Sequence, residues 1–291
     1  MNHIPVLLDE VLKMLNPMDG DKIIDATFGY GGHTEAILKA SKCFVTAIDR
    51  DPTVKSRAND LKRVYGERFS FVPGKFADII ATLNGQYDKV LFDFGVSSMQ
   101  LDVAERGFSF SKDGTLDMRM SCEGISAYEV INTYSETDLA EIIYNYGNEV
   151  HSRKIAKAII ESRNNNKIET TLQLHEIITS VFGYSKKHRK HSDIDVATKT
   201  FQAIRIYVND ELREIDTALH NLTKILNGNA IIATITFHAL EDRIVKYWAS
   251  SNAHFKPIVD GVITASAEEI KRNPRSRSAK LRGFIFNNTK L

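Results

Sequence analysis

The sequence predicts an α/β protein, a mostly parallel sheet with a helical domain inserted between two of its strands. Three observations predict it. Short β-branched runs alternate with helical periodicity through the first ninety or so residues. The alternation then stops for more than a hundred residues, most of them helical in pattern. It resumes with Ala230-Ile231-Ile232-Ala233-Thr234-Ile235-Thr236-Phe237, a strongly β-branched run. Strand–helix alternation implies βαβ units and a parallel sheet. Right-handed crossovers then bring the strand C-termini to one rim, where open α/β sheets bind ligands.

Taken in order, strands are expected at residues 22–27, 43–49, 69–73 and 87–93, with helices at 32–39 and 53–65. Ser135-Glu136-Thr137-Asp138 has the form of a capping box ahead of a helix over 139–146. Apolar residues at helical spacing continue over 150–163 and 172–182. The insertion is placed at 109–193, which leaves 1–108 and 194–291 as one discontinuous domain. Residues 196–226 read as one long helix, and the turn Asn227-Gly228-Asn229 precedes the fifth strand. A helix over 240–250 and a last apolar run at 283–287 complete the chain.

The bulk composition narrows the class. A hydrophobic share of 43% and a charged share of 26% are globular values, and 291 residues can bury a sizeable core. A net charge of +1 favours no partner by itself. Cys43 and Cys122 lie far apart with no C-x-x-C spacing, so neither a disulfide framework nor a metal site is expected. The N-terminus lacks the pattern of a signal peptide, and no apolar run approaches the roughly eighteen residues of a membrane span. A cytoplasmic protein with no membrane role is expected.

Three glycines in four positions follow the first strand, in Asp25-Ala26-Thr27-Phe28-Gly29-Tyr30-Gly31-Gly32-His33-Thr34. Such a turn lets backbone approach a ligand. A dinucleotide fingerprint wants a third glycine where Thr34 stands, and a Walker A loop wants G-K-[ST], which does not follow. Asp49 ends the second strand twenty positions beyond Gly29, a spacing that puts a carboxylate where it can accept both hydroxyls of a ribose. Asp93 ends the fourth strand between Phe92 and Phe94. A carboxylate and an aromatic face both suit a sulfonium cation, the face contributing about 0.5–2 kcal/mol. Phe76, after the third strand, could supply a ring near an adenine. For each, a plain structural role in a turn is the alternative.

Three further segments carry charge. Lys186-Lys187-His188-Arg189-Lys190-His191 ends the insertion, and the stretch from Lys271 to Arg282 contains no acid. Arginines interleaved with small polar residues there suit a phosphate backbone. His238, beyond the fifth strand in Thr236-Phe237-His238-Ala239-Leu240-Glu241-Asp242-Arg243, could accept a proton. Alternatively, Glu241 and Arg243 only cap and charge the helix that starts there.

With these residues assembled, nearly the whole chain resembles the bacterial methyltransferase family that modifies the exocyclic N4 of a cytosine in small-subunit (16S) ribosomal RNA. The resemblance is carried by the residues 3–11, 25–33, 47–52, 93–98, 100–102, 105–110, 116–120, 200–205, 208–212, 238–246 and 273–282. It implies a class I (Rossmann-like) methyltransferase domain with an inserted helical domain that helps hold RNA. It also implies S-adenosyl-L-methionine as donor, with cofactor contacts at Gly31, Gly32, His33, Asp49, Phe76, Asp93 and Gln100. Asp93 and His238 are the candidate catalytic residues, and Lys199, Arg243, Arg275, Arg277, Lys280 and Arg282 the candidate RNA contacts. The partner is ribosomal RNA or the small subunit, and a homodimer is left open. Tyr30, Phe94, Thr115, Lys199 and Ala239 depart from the family's usual residues, and a lysine at 199 loses the bidentate fork of an arginine. Two other readings stay open at this point: an RNA-binding assembly factor without turnover, and a nicotinamide-dependent oxidoreductase.

Overall fold

The computed structural model describes residues 4–183 and 195–287. The basic cluster at 186–191 lies outside them. In chain order the elements begin with α1 (Leu8–Leu15), β1 (Lys22–Asp25), α2 (Gly32–Ala40), β2 (Phe44–Asp49), α3 (Lys55–Tyr65), β3 (Phe69–Pro73), α4 (Phe76–Thr82) and β4 (Tyr87–Asp93). Helices follow: α5 (Ser98–Asp102), α6 (Ala127–Thr133), α7 (Glu136–Gly147), α8 (Ser152–Asn165), α9 (Thr171–Val181), α10 (Thr198–Asn209) and α11 (Glu211–Asn221). The chain closes with β5 (Leu226–Thr236), α12 (Ala239–Ser250), β6 (Phe255–Pro257), β7 (Ile263–Thr264), α13 (Ala267–Arg272) and β8 (Lys280–Phe286).

Two compact units result. The first holds residues 1–95 and 212–291, the second 96–211. The expected division at 108/109 and 193/194 was narrower. Val96 and Leu101 pack with the helical core on one side of the insertion, and Ala197, Phe201 and Ile204 belong to it on the other.

In the first unit the strand order is β3-β2-β1-β4-β5-β8-β6, with β7 paired to β8. The first five strands run parallel to their neighbours, and β8 runs antiparallel to β5. This is a doubly wound, Rossmann-like sheet. Successive side chains of each strand enter opposite faces, as the period of two requires. Ile23, Val45, Leu91 and Ile235 join one apolar cluster with Val11, Ile37 and Leu61 from α1–α3. Ile24, Ile48, Val90 and Ile232 join the other with Ile80, Leu219 and Trp248 from α4, α11 and α12. Burial on both faces explains why the strands read as near-continuous apolar runs. The order reverses between β1 and β4, so the topological switch point lies where the glycine turn and Asp93 leave the sheet.

Two expectations are corrected. The single helix over 196–226 is broken at Asp210, whose backbone is left-handed at φ 53°. Asn209 anchors the break: its amide donates to the Met118 carbonyl at 2.7 Å, and its oxygen accepts from Met120 N–H at 2.8 Å. The turn Asn227-Gly228-Asn229 lies inside β5 rather than before it. Tyr87 pairs Leu226 and Lys89 pairs Ile231, so five steps of β5 match two of β4 and the excess bulges out.

The second unit is a helical core in which Leu139, Ile143, Ile155, Ile159, Leu174, Ile178 and Phe201 are buried together. Side-chain caps open three of its helices. Ser126 with Glu129 and Thr170 with Gln173 form reciprocal capping boxes, and the Ser135 hydroxyl accepts from Asp138 N–H.

Candidate cofactor site

The glycine turn is an extension of the sheet. Ala26 N–H donates to the Leu91 carbonyl and Phe28 N–H to the Ile48 carbonyl, each at 2.9 Å, so the chain leaves β1 held on both sides. Gly29 and Gly31 then take φ of 53° and 75°, where a Cβ is strained. A Cβ on Gly31 would also lie 2.7 Å from the Phe28 ring, and one on Gly32 would lie 2.4 Å from Pro5. The bareness of Gly32 is therefore accounted for by the N-terminal segment packed over it. His33, second in α2, turns its Nε2 to the Val6 carbonyl at 3.0 Å.

Around this turn three acids sit at the carboxyl rim. Asp25 is buried at the end of β1, accepting from the Thr34 hydroxyl at 2.6 Å and from Thr27 N–H at 3.2 Å. Burial pushes its carboxyl up to about 6. Asp49 ends β2 and accepts from Gly29 N–H at 2.6 Å and from Asp51 N–H at 2.8 Å. Desolvation raises it to about 6 as well, against those two hydrogen bonds. Asp93 ends β4, with its own N–H donating to the Thr27 hydroxyl at 2.6 Å. Burial, then the charges of Asp25 and Glu241, hold its carboxyl well above the ordinary range. Its Oδ2 is 3.7 Å from His33 Nδ1, while its buried Oδ1 has no hydrogen-bond partner among the described residues.

Such a cluster repels itself and gains from a cation. Among the described residues neither Asp25 nor Asp93 pairs with a lysine or arginine. An orphaned buried oxygen, a desolvated set of acids and a ribose-competent Asp49 together fit a cationic adenosyl group. The aromatic part of the expectation is corrected. Phe92 and Phe94 are 0% and 2% exposed and stack on each other at 5.2 Å, so they fill the core instead of offering a face to a cation. Phe76 meets the edge of Phe92 at 5.6 Å and is the half-buried ring of the three.

The rim beyond β5 carries the start of α12. His238 is the N-cap of α12: its Nδ1 accepts from Glu241 N–H at 3.4 Å, and its Nε2 lies 3.1 Å from Glu241 Oε1. Glu241 is fully buried and also accepts from Phe237 N–H at 2.7 Å. The geometry therefore gives His238 to the helix cap. His238→Ala is expected to cost about 1 kcal/mol of stability, read by thermal melting. Its single-turnover rate should stay close to that of the native chain across mildly acidic to mildly alkaline pH.

The remaining residues separate. Gln100 belongs to the second unit, where its amide oxygen accepts from Ser97 N–H at 3.0 Å in a capping box. Lys199, also in that unit, is exposed and donates to the Asn148 carbonyl at 3.3 Å. In the first unit Arg243, Arg275 and Arg277 are exposed. Lys280 and Arg282 are held by Asp242, at 3.5 Å and 2.8 Å, so the acid missing from the basic stretch arrives from α12. Sequence reasoning missed Asp25 and Glu241 as members of the acid cluster. An acid closing β1 as Asp49 closes β2 was the available signal for the first. For the second it was the His-x-x-Glu capping pattern.

The chain is similar to known proteins along nearly its whole length. A family model described as the MraW methylase family matches residues 1–286. The ribosomal RNA small subunit methyltransferase H of Rickettsia massiliae (strain Mtu5) is 47% identical over 303 aligned residues, covering 97% of each chain. That of Rickettsia canadensis (strain McKiel) is 48% identical over 97% of this chain and 96% of its own. An rRNA methylase from Streptococcus thermophilus aligns in three dimensions with a TM-score of 0.46 and 9% identity, over 99% of both chains. With a family model matched over residues 1–286 and relatives near 47% identity, the chain belongs to the MraW methylase family.

Proposed function

We propose that this chain transfers a methyl group from S-adenosyl-L-methionine to the exocyclic N4 of a cytosine in small-subunit ribosomal RNA, in the cytoplasm. Membership of a methylase family makes methyl transfer its chemistry. The ribosomal RNA substrate follows the relatives described as small-subunit rRNA methyltransferases. The observation that carries the amino-group reading is Asp93, whose buried Oδ1 lacks a partner at the tip of β4.

An exocyclic amino group is a weak nucleophile because its lone pair is delocalised into the ring. An acceptor that takes one of its N–H bonds draws the nitrogen out of conjugation and removes the proton it must lose. Asp93 Oδ1 is that acceptor. When bound, S-adenosylmethionine would supply an electrophilic methyl on a sulfonium, with a neutral thioether as its leaving group. A cation at the acid cluster favours the ionised form of Asp93, the form that accepts. Asp49 would hold the ribose hydroxyls and Phe76 would border the adenine, with Gly31, Gly32 and His33 as the further cofactor contacts of this unit. The target cytosine is splayed from its strand and its flanking phosphates are held by exposed cations.

For those cations we select Arg243, Arg275 and Arg277, with Lys199 as a single-point contact. Replacing Arg275 and Arg277 together with alanine should weaken RNA binding and lower its salt slope by about 1–2, with cofactor affinity unchanged. Filter binding over a salt series reads the first, and calorimetry the second. Weaker cofactor binding with unchanged RNA binding would count against the assignment. The function itself is tested with labelled S-adenosylmethionine and unmodified small subunits or free RNA. N4-methylcytosine in the digested RNA is the expected product. Label on another atom refutes the N4 assignment, and RNA binding without label points to an assembly factor.

A further inference from the structure

One buried charged pair next to the cofactor rim takes no part in the chemistry above. Glu214, in the first turns of α11, has 6% of its side chain exposed, and Arg50 has 11%. Arg50 Nη1 donates to Glu214 Oε2 at 2.8 Å. The backbone N–H of Phe76 and the charge of Lys75 also act on the Glu214 carboxylate, and Asp78 opposes them. These partners come from two different strand-tip segments. Arg50 stands between Asp49 and Asp51, whose N–H donates to Asp49 at 2.8 Å. Phe76 is the first residue of α4, after β3. One carboxylate thus reaches the turn that aims the ribose-binding acid and the backbone of the ring that borders the adenine.

We propose that Glu214 is a positioning residue for the adenosyl half of the cofactor, holding the turn after β2 through Arg50 and acting beside the start of α4. It touches neither ribose nor adenine. The inference rests on the reading of the glycine turn and Asp49 as an adenosyl site. Its mechanism is preorganisation: two loops that must both be in place for one ligand are held by a third element before the ligand arrives.

A buried ion pair is weak evidence for stability, since hydrophobic residues of similar volume often serve as well, and its place beside a ligand rim gives it another role. Burial lifts the Glu214 carboxyl to about 7, against the pull of Arg50 and Lys75. The tie is therefore complete when Glu214 is ionised and weakens as pH falls through about 7.

Calorimetric titration of the full chain with S-adenosylhomocysteine and with methylthioadenosine, which lacks the amino-acid end, tests the proposal. Glu214→Ala should weaken both ligands by a similar factor, about 5- to 30-fold, because the defect lies at the shared adenosyl end. In turnover the KM for S-adenosylmethionine should rise while kcat at saturating donor stays near the native value. Glu214→Gln keeps the shape and should bind nearly as well near pH 7, but without the affinity change that the native chain shows between about pH 8 and about pH 6.5. Removing one partner of a buried pair can unfold a protein, so the double substitution Arg50→Met with Glu214→Leu is the companion variant. A double variant that melts like the native chain yet binds both ligands weakly supports the assignment. Native affinity in a folded double variant overturns it. If the native chain bound neither ligand, the adenosyl reading itself would fail, and this outcome is distinct because it appears without any substitution.

Discussion

Asp93→Asn is expected to make the protein more stable and nearly inactive. Methyl transfer should fall by about 10²–10⁴-fold, the range for loss of a positioned proton acceptor, as read by single-turnover assays at saturating donor. The carboxyl of Asp93 is held well above the ordinary range by burial and by Asp25 and Glu241, so the folded chain pays for ionising it. A raised carboxylate means that the folded state binds its proton more tightly than the unfolded state does. The associated stability is present at low pH and is lost as pH rises from the unfolded value through the raised one. Asparagine does not titrate, so its advantage in melting temperature should be largest at neutral pH and above, and should shrink in acid. Undiminished turnover of Asp93→Asn with donor saturating would remove Asp93 from the chemistry.

Asp49→Ala is expected to lose the donor, not the reaction. Hydrogen bonds from two ribose hydroxyls to a charged acceptor contribute about 1.5–3 kcal/mol each before cooperativity losses, so affinity should fall by about 10²-fold or more. The same substitution frees Gly29 N–H, which donates to Asp49 at 2.6 Å, and so loosens the glycine turn. The pH dependence has a definite sign. Burial holds Asp49 at about 6, so the ionised acceptor is present above that pH and donor affinity should drop as pH falls through it. Calorimetry on the native chain and on Asp49→Asn separates the terms. The inflection near that pH should vanish in Asp49→Asn, and its persistence would assign the titration to another group.

Much of the fold was legible because its strands are local statements. β3 and β4 fall on the expected residues, since burial on both faces writes an unbroken apolar run between polar turns. The glycine turn, Asp49 and Asp93 were legible for the same reason: strand tips of a parallel sheet converge on one rim whatever the side chains do. The break at Asp210 was less legible. Apolar periodicity continues through it, and what ends α10 is the Asn209 side chain reaching Met118 and Met120, about ninety residues away.

Local pattern alone determined the parallel sheet, the interruption by helices and the acids on the carboxyl rim. Only the tertiary structure decided which charges are free to act. It returned His238 to a helix cap and put Asp242 onto Lys280 and Arg282. It also sank Phe92 and Phe94 into the core and left Asp93 Oδ1 without a hydrogen-bond partner among the described residues. The reason is physical: a residue's type is written in the chain, but its desolvation and its partners depend on groups distant in sequence. Those two quantities set the charge state that catalysis uses.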